Sequence, residues 1–180
     1  MTITLGALLG VGVAALGVIG GGVGPGGPPS APPQETERSA AGTGPLALPP
    51  VPAPRAGSPE CGAVLEALPS SLLVDDSRVP RRQLADPAPP ATVAWGDAEH
   101  EPMTVRCGIT DPAELTRTSP LVEISGVAWL RMDEADTTTW LAVDRPVRVA
   151  LNVPSDSGSG PVQDLSRILR DTLPERDVFG

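Results

Sequence analysis

The chain has 180 residues with 22 acidic and 13 basic side chains, every basic one an arginine, for a formal net charge of −9. That balance argues against nucleic-acid binding, whose affinity comes from cationic side chains meeting phosphates, and against docking on anionic lipid through basic patches. Gly (20) and Pro (23) stand at about twice ordinary usage and are unevenly spread, and the length allows one folded domain.

Residues 1–24 carry no charged side chain. Their apolar run, residues 3–23, matches the roughly 20 residues that cross a hydrocarbon core as a helix. A cleaved signal would show a basic flank before the run and a small-residue cleavage site after it. No arginine precedes Arg38, and no clear Ala-x-Ala follows. An uncleaved anchor is therefore favoured over a cleaved signal. The expected location is the plasma membrane, single-pass, with the folded part on the outer face; secretion after cleavage is the alternative. Gly10-Val11-Gly12-Val13-Ala14-Ala15 formally fits a nucleotide-loop fingerprint, but the preceding strand, following amphipathic helix and acidic residue that give it meaning are missing.

Residues 25–57 read as a tether. Pro25, Pro28, Pro29, Pro32 and Pro33 are followed by Pro45, Pro49, Pro50, Pro52 and Pro54, with small residues between. Proline fixes φ and removes a donor, so an extended, solvated spacer is expected.

A composition shift at Ser58 opens the domain assigned to residues 58–180. Ser58-Pro59-Glu60 supplies an N-cap, a proline at the first helical position and an acid in the first turn. Cys61, Val64, Leu65 and Leu68 then share one face until Pro69. The charged, proline-broken stretch 75–90 reads as a loop. Met103, Val105 and Cys107 alternate with Thr104 and Arg106; runs at 127–132, 140–143 and 147–153 follow. Asp144-Arg145-Pro146 is short enough to make the last two an antiparallel hairpin. Gly160-Pro161 starts a final helix with Val162, Leu165, Ile168, Leu169 and Leu173 as its apolar stripe. The expectation is an α+β fold: a small antiparallel sheet of about five strands with an N-terminal and a C-terminal helix packed on it.

Cys61 and Cys107 are the only cysteines. After an export-type segment a disulfide between them is the favoured reading, with two buried free thiols the competing one. Two thiols and one histidine fall short of a four-ligand zinc site. Other chemistry is sparse. His100 sits in the polar, Pro-flanked stretch Ala98-Glu99-His100-Glu101-Pro102, and Asp133, Glu134 and Asp136 lack calcium-loop spacing. Neither G-x-S-x-G nor H-E-x-x-H occurs. No catalytic residue, cofactor or metal is assigned. Arg106, on the strand side opposite the core, and Trp95, approaching a turn, are the candidate ligand contacts. For each, the plain structural role (a solvated arginine, a core tryptophan) outweighs it.

Cys61-x-x-Val64-Leu65-x-x-Leu68-Pro69, Ala94-Trp95-Gly96, Arg106-Cys107-Gly108, Gly126-Val127-x-Trp129 and Val143-Asp144-Arg145 follow one another in an order that resembles a family of actinobacterial envelope proteins, a domain of unknown function numbered three-five-one-five. The resemblance covers about residues 58–175. It implies an N-terminal membrane segment or signal and an extracytoplasmic domain, and it brings no catalytic residues. The function expected is that of a non-enzymatic binding or accessory module of the cell envelope, whose partner is an envelope protein or wall component and not nucleic acid. A carboxylate-dependent hydrolase acting on a wall polymer is the alternative.

Overall fold

The computed structural model describes residues 42–179. The membrane-segment reading of residues 3–23 and the first part of the tether lie outside them. Among the described residues no helix is long and apolar enough to cross a membrane.

The chain begins its regular structure with helix α1, Pro59–Ala67, capped as its sequence dictates: the Ser58 hydroxyl accepts the Cys61 N–H at 3.2 Å, with Pro59 at the first helical position. Eight strands follow: β1 Ser71–Val74, β2 Ser77–Arg82, β3 Thr92–Trp95, β4 Met103–Cys107, β5 Leu121–Ile124, β6 Val127–Asp133, β7 Thr137–Ala142 and β8 Val149–Pro154. Helix α2, Gly160–Thr172, closes the order. The strands make one antiparallel sheet in the order β1-β2-β3-β4-β8-β7-β6-β5. It is two four-stranded meanders, β1–β4 and β5–β8, zipped together where β4 pairs with β8 from Thr104↔Asn152 to Cys107↔Val149.

The α+β class holds, and the strand number is corrected from about five to eight. Three of the strands have a physical reason for escaping the pattern. β1 and β2 turn through Asp75 and Asp76, both at positive φ (45° and 65°), a two-residue reversal that favours such short polar residues. Pro80, which argued for a loop, stands where β2 hands over from β1 to β3: its pairing with Ser71 ends one ladder, and Arg81↔Trp95 starts the next. A missing N–H is tolerated at such a changeover. β5 is an edge strand with Leu121 and Val122 exposed, so it lacks the alternation of a half-buried strand.

Both helices cover one sheet face. Cys61, Val64 and Leu68 of the α1 segment and Val162, Leu165 and Leu169 of α2 pack with Val105, Cys107, Trp129, Val149 and Leu151. The Cys61–Cys107 disulfide, 46 residues apart in sequence, joins α1 to β4 within this core. The Trp129 indole donates to the buried Ser166 hydroxyl at 2.9 Å, and that hydroxyl donates to the Val162 carbonyl. The opposite face is smaller and is built on Leu130, Leu141, Val143 and Ala150, with Ile109, Leu115 and Val178 laid against it.

The tether assignment is corrected at its C-terminal end. Residues 44–56 lie on the domain as a strap. Leu46, 1% exposed, forms a parallel bridge with Leu84: its N–H donates to Gln83 O at 2.8 Å and its carbonyl accepts the Ala85 N–H at 2.9 Å. Further on, the Thr110 N–H donates to Pro52 O and the Arg55 N–H to Gly108 O. A proline-rich segment has few donors of its own but keeps all its carbonyls, and these accept from the Ala85 and Thr110 N–H groups just beyond β2 and β4 and from the Arg82 and Arg106 side chains.

Candidate functional site

The strap, the loop after β4, the β7–β8 connection and the C-terminal tail converge at one end of the sheet. Gly108 makes that convergence feasible. It sits at φ +80°, and a Cβ there would lie 2.4 Å from the backbone of Arg55 and Ala56. Only glycine allows the left-handed turn and the close approach together. Next to it, the Gly108 N–H donates to Arg148 O at 2.8 Å, tying the loop to the start of β8.

Between these segments lies an open cleft of about 650 Å³, with Arg55, Arg145, Arg148 and Arg176 in its lining beside Asp111 and Asp177. Its remaining wall includes Ile109, Pro146, Val147 and Val178. The sign of charge is inverted locally. Four of the 13 arginines line it against two of the 22 acids in a chain of net charge −9.

The four arginines are held in different ways. Arg148, with only 17% of its side chain exposed, is the hub. Its Nε meets Asp111 Oδ1 at 2.5 Å, Nη2 donates to Val178 O at 3.0 Å, and Nη1 donates to Val143 O. One planar fork thus fixes the loop after β4, the residue that follows β7 and the tail in one geometry. Arg55 donates from Nη1 to Pro146 O at 2.6 Å and faces Glu60 Oε2 at 3.7 Å. Glu60 titrates below its ordinary value because of its backbone hydrogen bond and the Ser58 hydroxyl, with Arg55 adding a smaller pull. Arg176 is exposed on the tail, whose N–H donates to Asp144 O.

Arg145 is buried, its side chain 2% exposed, and donates to Asp144 O and Gly126 O. The Asp144 carboxylate lies 3.6 Å from Arg145 Nη1 and accepts the Ala128 N–H through Oδ2. Two buried atoms of this pair, Arg145 Nε and Asp144 Oδ1, have no hydrogen-bond partner. Backbone carbonyls orient Arg55, Arg145 and Arg148, each of which also has a carboxylate within 4 Å: Glu60, Asp144 and Asp111 respectively.

The residues singled out from sequence lie elsewhere. Cys61 and Cys107 are joined to each other. Trp95, offered as a ligand contact, is fully buried on the helix face; its indole N–H is taken by Pro69 O at 3.2 Å, and the Arg81 guanidinium lies 5.9 Å from its ring centre. It has no free surface for a ligand. Arg106 projects from the opposite sheet face and donates to Pro49 O at 3.0 Å, so it is a strap holder. Burial pulls its guanidinium below the ordinary arginine value. The two are not brought together, and neither lines the cleft.

His100 is tied into its own turn: Nδ1 lies 2.8 Å from Asp97 Oδ1, which also accepts the Glu99 and His100 N–H groups. Asp133 holds Arg131 and Thr138. Among the described residues no group of three His, Cys, Asp or Glu side chains is placed to hold a metal.

Sequence reasoning missed the cleft arginines, yet a signal was present. Asp144-Arg145-Pro146-Val147-Arg148 puts two arginines into the six-residue β7–β8 connection of an acidic chain, flanked by apolar strands. The contributions of Arg55 and Arg176 depend on tertiary folding of two segments that look like linker and tail.

Residues 33–178 match the family described as "Protein of unknown function (DUF3515)", and the chain belongs to that family. The match begins ahead of the strap, well before the Ser58 boundary drawn from composition. No curated protein and no solved structure matches the chain.

Proposed function

We propose that this family member is a membrane-tethered, extracytoplasmic binding or accessory module of the cell envelope, acting without catalysis. The observation that carries the reading is the cleft: a concave site built from four separate segments, whose charged groups are oriented by backbone carbonyls. Such a site is suited to recognition by hydrogen bonds and charge. The location is supported by the uncharged apolar stretch 3–23 and by the Cys61–Cys107 disulfide, since disulfides persist in oxidising compartments. The residues between the apolar stretch and the strap would let the domain stand off the bilayer.

The test is made in intact cells with the full chain carrying a C-terminal epitope. A protease added outside should remove the epitope, and non-reducing peptide mapping should recover Cys61 linked to Cys107. A photo-crosslinker at position 177 should capture an envelope component that one at Glu66, on the surface of α1, does not. An epitope protected inside the cell, or free thiols in the native protein, would overturn the reading.

Asp111 and Asp177 give the hydrolase alternative its only foothold in the cleft, and Arg148 already engages Asp111. Turnover of a wall polymer that disappears in both Asp111→Asn and Asp177→Asn would favour it.

A further inference from the structure

We propose that the cleft is a phosphate site, with Arg55 and Arg176 as the ligand-contacting groups and Arg148 and Arg145 as the frame that holds them, and that it takes a phosphate carried on an organic body. This deepens the binding-module reading and rests on it for biological context.

Charge distribution is the first argument. The chain concentrates four arginines in one concavity while its overall charge is strongly negative. Self-repulsion makes such clustering unfavourable unless something compensates it, and an anion in the cleft would do so. Asp111 compensates Arg148 at 2.5 Å, and Asp144 lies beside Arg145. Arg55 has Glu60 at 3.7 Å but keeps 52% of its side chain exposed, so its charge is only partly offset, and Arg176 is exposed on the tail; these two guanidinium groups face the open volume. A phosphate monoester carries about −1.5 to −2 charges at neutral pH, which two such guanidinium groups match better than one carboxylate would.

The second argument is the buried Arg145, whose Nε lacks a partner in a side chain 2% exposed. Asp144 at 3.6 Å offsets the charge of Arg145, so its contribution beside the cleft is an unsatisfied buried N–H, a group whose missing partner calls for an explanation. Size supplies the third. About 650 Å³ exceeds a bare phosphate and suits a small organic ligand. Pro146, Ile109 and Val178 provide apolar surface for the carbon skeleton, and Thr110 is a further polar residue in the lining.

The experiment is titration calorimetry of the purified full chain in detergent, at fixed ionic strength, with inorganic phosphate and glycerol 3-phosphate as probes. Acetate is the carboxylate arm and chloride the ionic control. Glycerol 3-phosphate should bind saturably and more tightly than inorganic phosphate. Arg176→Ala and Arg55→Ala should each weaken it about tenfold, as expected for loss of one charge-assisted hydrogen bond. Arg167→Ala, on the exposed side of α2, should leave it unchanged.

Arg55→Ala also removes a strap contact, so Arg176→Ala, at an exposed tail position, carries the decision if the Arg55 variant unfolds. Heat effects that do not saturate, or affinity unaffected by Arg176→Ala, would overturn the proposal. Acetate binding as well as glycerol 3-phosphate would overturn the assignment to phosphate. Because this assay is blind to location, phosphate binding by a protein that proves intracellular would sink the envelope reading and leave the site standing.

Discussion

At the scale of single residues, Gly108 shows how a short motif encodes long-range structure. Its φ of +80° and the 2.4 Å that a Cβ would leave to the strap backbone are separate penalties. Left-handed backbone alone costs a non-glycine residue about 1–2 kcal/mol, and the clash cannot be relieved by a rotamer change. Gly108→Ala should therefore lose about 3 kcal/mol or more in urea unfolding, with the amide of Arg55 losing hydrogen-exchange protection first.

Asp97 carries a pH effect of defined sign. The hydrogen bond from the His100 side chain, with that of the Glu99 N–H, holds its carboxyl below the ordinary 3.8. A carboxyl depressed in the folded state stabilises the protein at pH values above its unfolded pKa, and that contribution drains away as pH falls through the folded value. Thermal melts between about pH 5 and 2 should show the wild type losing more stability on acidification than Asp97→Asn. Equal slopes for the two proteins would contradict this assignment.

At the scale of elements, legibility follows from how much of the signal is local. Both helices were readable because their caps and stripes are contained in their own residues: Ser58-Pro59 opens α1, and Val162, Leu165 and Leu169 bury one side of α2. The β7–β8 hairpin was readable for the same reason, with an apolar run at 140–143 and an alternating one at 147–153 on either side of a short connection. β2 was hidden by Pro80, whose tolerance depends on which neighbour each half of the strand pairs with. The strap was hidden by composition, since proline reads as solvated spacer wherever no partner is known. Leu46 is its anchor, so Leu46→Ala should cost about 2–5 kcal/mol, the range for emptying a buried leucine site. A truly solvated tether residue would show almost no change in chemical denaturation.

At the scale of the whole molecule, two meanders share a single seam, β4 against β8, and both the disulfide and the cleft sit there. Cys107 ends β4, and Arg148 immediately precedes β8. Closing a loop between residues 46 apart restricts the unfolded chain by about 4 kcal/mol on chain-entropy grounds. Reduction should lower the melting temperature by more than about 10 °C. If the seam also organises the cleft, phosphate affinity should fall in the reduced protein at temperatures where the helices persist by circular dichroism. The cleft was the least legible part of the chain because its four arginines come from positions between 55 and 176. Sequence offers only the pair in the β7–β8 connection; the fold supplies the other two.

The docked strap also decides how the molecule meets a pull on its N-terminal side. Tension reaching Leu46 would load its two hydrogen bonds, to Gln83 O and from the Ala85 N–H, along with the seat of a buried leucine. If those yield, the next contacts in line are Pro49 on Arg106, Pro52 on Thr110 and Arg55 on Gly108. Peeling then ends at Cys61, where the covalent bridge transfers the load to the centre of the sheet. The strap is thus a short mechanical fuse with a fixed stop, and the last contact to give way before that stop is the one that carries Arg55 out of the cleft.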